Sequence, residues 1–298
     1  MKRVRVILMA VVTMLSVPAF AEEATPGAIF EKVKSAYESM GTFKAEGTVI
    51  ADIDAGGKKM NTETSFSILL KKPNLYLISW TQKNMPMPGM AFPGAVWSDG
   101  TQPYLYMGMM NAYSKMTSDD MALATATGVS SGAAFTMPSL LLSVFKEQPA
   151  LFSRIQDPKI ERSEKIGEED CYVISGASAI SKKETLWISK TRYLILQCSR
   201  SLEPPEGGLA VPEMTDKQVE EALKASGQEV TEENKKRLRE AMNKSRDQLK
   251  NMQIKGSMTE SYVKISSPEL IKKDFEFEVP KGAVLKDALF GGAPAPGK

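Results

Sequence analysis

Histidine is absent from the 298-residue chain. Without an imidazole, Ser-His-Asp and Cys-His nucleophilic centres and every histidine-ligated metal site are excluded. An enzyme would be left with carboxylate, lysine or tyrosine chemistry. Cysteine occurs only twice, as Cys171 and Cys198, and aromatic residues make up 7% of the chain. An excess of charge is missing as well. Lys and Arg number 38 against 36 Asp and Glu. Three of the positives, Lys2, Arg3 and Arg5, crowd the amino terminus, and setting them aside leaves 35 against 36. A near-neutral chain offers no electrostatic basis for nucleic acid or a strongly anionic partner. There is no internal repeat, no G-x-x-x-x-G-K-S/T phosphate loop, and no apolar run after the amino terminus long enough to span a membrane. What is present is an ordinary globular composition, 42% hydrophobic and 25% charged, with length for one large or two small domains.

Residues 1–21 read as an export signal. A basic stretch, Met1–Arg5, precedes an apolar run, Val6–Val17, and then Pro18-Ala19-Phe20-Ala21. The run is too short for roughly 30 Å of hydrocarbon, and small residues at Ala19 and Ala21 suit cleavage after Ala21. No cysteine stands near the junction to carry a lipid. The expected location is the periplasm.

Thr25-Pro26 opens a helix with a cap and a proline at its first position. Ile29, Phe30, Val33, Tyr37 and Met40 form its apolar face. Alternation then predicts strands over Thr42–Asp52, with Phe43, Ala45, Gly47 and Val49 on one side, and over Met60–Leu70 and Leu75–Trp80. Val96-Trp97 and Tyr104–Met107 form a hairpin about Ser98-Asp99-Gly100. Between the third and fourth strands lies Asn84–Gly94, apolar yet broken by three prolines. Ser118–Gln148 reads as helical with a break at Gly128–Ala134. Its second part starts at Met137-Pro138 and presents Leu140, Leu141, Val144 and Phe145. Strands resume at Lys159–Arg162, Cys171–Ser175, Thr185–Ile188 and Leu194–Cys198. A charged helical insertion follows over 204–252, with a Thr215/Gln218 capping box and a stripe of Leu238, Met242 and Leu249. Two strands, Gln253–Ile265 and Asp274–Val279, precede a Gly/Pro tail, 291–298. The order predicts an α+β domain over 22–290: one large curved antiparallel sheet with helices on one face. In a meander of the middle strands, Cys171 and Cys198 lie two strands apart, beyond the roughly 7 Å reach of a disulfide, and are expected as free thiols.

Several segments, taken in order, resemble the periplasmic lipoprotein-carrier (LolA-like) superfamily, and an exported branch of it most of all. These are the helix Ile29–Met40, the turn Lys71-Lys72-Pro73-Asn74-Leu75-Tyr76, and the hairpin Trp97-Ser98-Asp99-Gly100-Thr101 with Tyr104-Leu105-Tyr106. They continue with Pro138-Ser139-Leu140-Leu141, Thr185-Leu186-Trp187-Ile188-Ser189-Lys190 and the closing Phe275-Glu276-Phe277-Glu278-Val279-Pro280-Lys281-Gly282-Ala283. The resemblance implies an unclosed β-barrel of about eleven strands whose helices close an apolar cavity for acyl chains. The insertion 204–252 has no counterpart in the carrier, and the loop Met85–Phe92 is more apolar than the family's.

Eighteen methionines include the clusters Met85/Met87/Met90 and Met107/Met109/Met110. They suit irregular core filling, a pliable surface for a greasy ligand, or a thioether site for Cu(I). The carboxylate groups Asp119-Asp120 and Glu168-Glu169-Asp170 suit a helix start and a surface turn, and no nucleophile, base and orienter stand together. The reading is therefore a non-enzymatic carrier or binding protein for a lipid, lipoprotein or other acylated hydrophobic ligand. It carries no metal or cofactor and has no nucleic-acid partner. Met85, Met87, Met90, Phe92, Leu140, Leu141 and Phe145 are expected to line or gate its hydrophobic pocket. The alternative is a regulatory adaptor that uses the insertion 204–252 as its protein-binding surface. Intact-mass analysis of the secreted chain should find Glu22 at its amino terminus, and a retained Met1–Ala21 segment would contradict the export signal.

Overall fold

The computed structural model describes residues 24–289, except positions 56, 84–89, 143–150, 179–180, 204–213, 226 and 252–253. The export signal, the tail 291–298, Met85, Met87 and Phe145 therefore lie outside the described residues.

Helix α1 (Pro26–Ser39) starts where Thr25 Oγ1 accepts the Ala28 amide at 3.2 Å, with proline at the first position. Six strands follow: β1 (Thr42–Ala55), β2 (Lys58–Lys71), β3 (Leu75–Lys83), β4 (Phe92–Asp99), β5 (Pro103–Met107) and β6 (Ala112–Lys115). Two helices, α2 (Asp119–Val129) and α3 (Thr136–Leu141), lead to β7 (Gln156–Ile166), β8 (Glu169–Ser178), β9 (Ser181–Ser189) and β10 (Ile195–Ser201). The insertion holds α4 (Asp216–Ala225) and α5 (Glu232–Asn251), and β11 (Ile254–Ser266) and β12 (Val284–Lys286) complete the fold. The capping box is formed: Gln218 N donates to Thr215 Oγ1, and Thr215 N donates to Gln218 Oε1 at 3.0 Å.

All twelve strands share one sheet in the order β12-β6-β5-β4-β3-β2-β1-β11-β10-β9-β8-β7. It is curved and unclosed, as expected. It is mixed rather than purely antiparallel, because β12 joins β6 in parallel. Two readings of the elements change. The segment Asp274–Val279 is not a strand; a 3₁₀ turn, Lys272–Phe275, leads into an extended strap. Helix α3 spans Thr136–Leu141, and Val144 and Phe145 lie outside the described residues. Strand β4 begins at Phe92, inside the proline-rich stretch. Pro93 is tolerated there because it faces Thr81 of β3, while pairing with β5 starts only at Gly94.

Period-two alternation puts one apolar row of most strands on the concave face. One such row runs Tyr262–Gly47–Phe66–Trp80–Gly94–Met107–Ala112 by register. Glycine is required twice in it because a neighbouring ring lies over each. A methyl on Gly47 would come within 2.3 Å of Phe66, and one on Gly94 within 2.4 Å of Trp80. Ile29, Phe30, Val33 and Tyr37 of α1, Ala122, Leu123 and Ala126 of α2, and Met137 and Leu141 of α3 complete this core. Cys171 and Cys198 are buried free thiols flanking β9, opposite Ser189 and Leu186 respectively. Burial pushes the Cys198 thiol up to about 12.

The insertion leaves at the end of β10 and returns at the start of β11, and these strands pair from Ser201↔Ser257 inward. Val219 and Leu223 of α4 are buried, and α5 packs on α4 with Lys235 bonded to Glu220 at 2.6 Å. A pocket of about 240 Å³ lies where Ala222 and Lys224 of α4 approach Met121 and Thr125 of α2. Because β10 and β11 already form a hairpin, replacing 204–252 by a short turn is expected to leave cooperative unfolding intact. Loss of the unfolding transition in denaturant would make the insertion part of the main folding unit.

Candidate functional site

Of the residues expected to form the pocket, Met90, Phe92, Leu140 and Leu141 are among the described residues. Met90 is half exposed at 51%, just ahead of β4. Phe92 pairs with Gln82 and is partly buried. Leu141 is buried in the core and Leu140 packs against it, both on α3, which contacts α1 and β2. The other methionine cluster divides: Met107 is in the core, while Met109 and Met110 are exposed. Asp119 accepts from the Tyr76 hydroxyl at 2.9 Å and from Asn74 at 3.2 Å, and Glu169 pairs with Arg192. Both carboxylates are thus engaged in structure. No group of three or more Cys, Asp or Glu among the described residues could hold a metal ion.

The concave face carries instead a cluster of charges that no sequence motif announces. Glu184 on β9, Arg200 on β10, and Glu260 and Tyr262 on β11 all occupy inward positions and are 3%, 6%, 2% and 3% exposed. Register brings them together: Arg200 faces Glu184 on one side and Met258 on the other, and Glu260 faces Cys198. Above them lies the α2–α3 connection. Gly132 has φ +102° there, a conformation that favours glycine, and an added methyl would reach the Met258 sulfur at 3.1 Å. The connection therefore descends directly onto β11. Thr136, the first residue of α3, is fully buried and joins the two layers. Its hydroxyl accepts from Arg200 Nη2 at 3.0 Å and donates to Glu260 Oε2 at 2.5 Å. Tyr262 donates to the other oxygen of Glu260. Phe135 lies under two guanidinium groups, Arg200 at 4.2 Å and Arg154 at 5.2 Å from its ring centre. Gln82 donates to Ser131 of the same connection at 2.9 Å, and Ser178 donates to Glu184 at 2.7 Å.

The electrostatics follow from burial. Desolvation raises the Glu260 carboxyl above its ordinary range, opposed by Arg200 and by the Thr136 and Tyr262 donors. The Tyr262 phenol is raised by the same burial and then by the Glu260 carboxylate beside it. Burial lowers Arg154. Arg200 and Glu184 lie 3.8 Å apart as an ion pair, while the Arg200 and Arg154 Nε atoms make no hydrogen bond among the described residues. Four ionisable groups without full pairing are costly inside a core. Their one sequence signal is parity. Glu184-x-Leu186-x-Ile188 and Met258-x-Glu260-x-Tyr262 place a carboxylate where alternation calls for an apolar side chain.

Two outcomes test the cluster. Arg200→Met leaves Glu184 and Glu260 buried with no guanidinium nearby but that of Arg154, and is expected to cost about 3–5 kcal/mol in chemical denaturation. Glu260 has its folded pKa above the unfolded value. Its contribution to stability is therefore full below that unfolded value and is lost as pH rises through the folded one. The stability of the native chain relative to Glu260→Gln should accordingly shrink with rising pH. A difference constant from pH 4 to pH 9 would mean that Glu260 does not titrate.

No family model matches the chain, and no curated protein matches it. The solved structures to which it is similar include an uncharacterized conserved protein from Thermus thermophilus. That match is 10% identical, covers 87% of this chain and 97% of the other, and has a TM-score of 0.40. A LolA superfamily protein from Nitrosomonas europaea is 13% identical over 86% of this chain and 99% of its own, with a TM-score of 0.30. A putative outer membrane lipoprotein-sorting protein domain from Vibrio parahaemolyticus is 11% identical over 83% and 94%, with a TM-score of 0.33. Each is a similarity of overall fold at low identity, and what this chain binds has to be read from its own residues.

Proposed function

We propose that this protein is a periplasmic binding or carrier protein for an acylated or otherwise hydrophobic ligand, held against the concave face of the sheet beneath a movable cover. The observation that carries this reading is the bridge from Arg200 through Thr136 to Glu260. It fastens the α2–α3 connection to the sheet through hydrogen bonds that add to the buried packing of Ala133, Ala134 and Met137. Two of the three fully buried residues of α2 are alanines, Ala122 and Ala126, and small side chains bury little apolar area. The cover is held by the apolar packing of Leu123, Met137 and Leu141 and is located by polar contacts. Opening it would break a few hydrogen bonds and bare a face lined by Phe66, Ile68, Ile78 and Trp80. Apolar area of that kind calls for an occupant. Phe92 and Met90 lie at the end of the sheet where Gln82 meets Ser131, a suitable place for an entrance. Among the described residues no helix is long and apolar enough to cross a membrane.

A second reading has its own observation. Helix α5 has 20 residues against 10 in α4, and its Lys236, Arg237 and Lys244 are at least partly exposed. It is available to a protein partner as an adaptor surface. A complex lost when 204–252 is excised would support that reading.

The carrier reading is tested with a fluorescent long-chain fatty acid. The native chain is expected to bind it. Thr136→Val, which removes both hydrogen bonds of the bridge, is expected to speed its entry by about tenfold, the equivalent of about 1.4 kcal/mol. Absence of binding in the native chain would overturn the reading. Binding with an unchanged entry rate in the variant would remove the bridge from the cover.

A further inference from the structure

The outer face of the sheet holds a groove of about 620 Å³, within the usual size of small-molecule sites. Its floor consists of two neighbouring rows of outward positions. One row runs Ser261–Thr48–Ser65–Thr81 and the other includes Ser67 and Ser79, across β11, β1, β2 and β3. Neighbouring strands lie about 4.8 Å apart, and successive outward residues about 7 Å, so the floor is a lattice of hydroxyl groups. The side chains of Thr48, Ser65, Ser67, Ser79 and Thr81 make no hydrogen bond among the described residues, whereas Ser261 donates to Gln197.

The groove has an aromatic wall. After Phe275 the chain crosses the outer face of β3–β6 as a strap, and Phe277 lies 4.9 Å from Trp97 and 5.6 Å from Tyr106 between ring centres. The closing motif of the sequence thus forms this strap. Asn111 then anchors it by donating to the Gly282 carbonyl at 3.0 Å. Phe277, Pro280 and Tyr106 line the groove on that side. Tyr106 is only 4% exposed, yet its hydroxyl makes no hydrogen bond among the described residues. Its oxygen is not among the buried side-chain atoms left without a partner, so the hydroxyl is open to solvent at the groove it lines, within reach of a ligand.

The chemistry of the ligand follows from what lines the groove. Its one charged lining residue, Glu46, is paired with Lys264 at 2.6 Å. In a chain with 25% charged residues, a solvent-facing floor of five strand hydroxyls without an unpaired charge selects against ions. Unpaired donors and acceptors in a regular array beside an aromatic ring match a molecule with many hydroxyls and apolar C–H faces. We propose that this groove binds a neutral, short oligosaccharide laid across β11–β3, with one sugar ring against Phe277 and a hydroxyl bonded to Tyr106. The hydroxyl floor is on the opposite side of the sheet from the concave face, although Gly47, Phe66, Trp80 and Gly94 of the inward row also border the groove; saccharide binding there does not require the carrier reading.

The test presents the full chain to an array of neutral glucan, mannan and chitin oligosaccharides, with uronic-acid and sulfated saccharides alongside. Retention on a neutral class is expected, measured afterwards by titration calorimetry. The triple variant Ser65→Ala, Ser67→Ala, Ser79→Ala should weaken that binding by about tenfold or more while leaving fatty-acid binding unchanged. Should the triple variant fail to fold, Thr48→Val with Thr81→Val serves the same purpose, with the same loss expected. Absence of neutral saccharide binding, retention of acidic saccharides alone, or full affinity in the folded hydroxyl-deleted variant would overturn the proposal.

Discussion

An open sheet of twelve strands must protect two faces and two edges, and the need to cover its concave apolar face shapes most of this molecule. Side chains alternate with a period of two, so Phe43, Ile68, Ile78, Val96 and Leu105 all reach the same side. No second sheet opposes them among the described residues. Helices α1, α2 and α3 must do so, and short helices cannot seal so wide a face by packing alone. The floor itself is adjusted to them. Gly47 and Gly94 let Phe66 and Trp80 lie flat across neighbouring strands, which thins the layer beneath the helices. The edge is handled separately: β12 adds three residues in parallel to β6 and covers backbone that would otherwise invite pairing with another chain.

The buried charges make sense in that setting. Replacing Arg200, Glu184 and Glu260 by well-packed apolar residues would in general be neutral or stabilising. What the polar set adds is directionality. Thr136 can satisfy Arg200 and Glu260 together in only one seating of α3, and Phe135 is located by two guanidinium groups on one ring. Such contacts specify where the cover closes. They let go as a unit, because losing Thr136 leaves both a guanidinium and a carboxylate short of a partner.

The two faces of the sheet follow opposite rules. The concave face hides charge among apolar side chains. The groove floor on the outer face shows uncharged hydroxyls to water beside a strap of Phe277 and Pro280. The strap also covers Trp97 and Tyr106, so the carboxyl-terminal segment encloses a small second core on the far side of β4 and β5.

Much of this is legible in local pattern. Thr25-Pro26 and Thr215 with Gln218 mark helix starts that depend only on adjacent residues. The alternation through Phe43, Ala45, Gly47 and Val49 locates β1 and its inward side, and the spacing of Cys171 and Cys198 within a meander keeps them apart. Those features are set by interactions a few residues long, which a sequence displays. The association of Glu184, Arg200, Thr136 and Glu260 is not of that kind. They come from four separate elements, and each on its own reads as an ordinary polar residue. The same holds for Thr48, Ser65 and Thr81, which form a row only once β1, β2 and β3 are in register. The strap reads as a strand because alternation at Phe275, Phe277 and Val279 reports one buried side. It does not report whether backbone partners are within reach. Periodicity thus settles which side of each element is apolar. Which elements those sides meet is left to the folded chain, because register and strand order are set by contacts distant along the sequence.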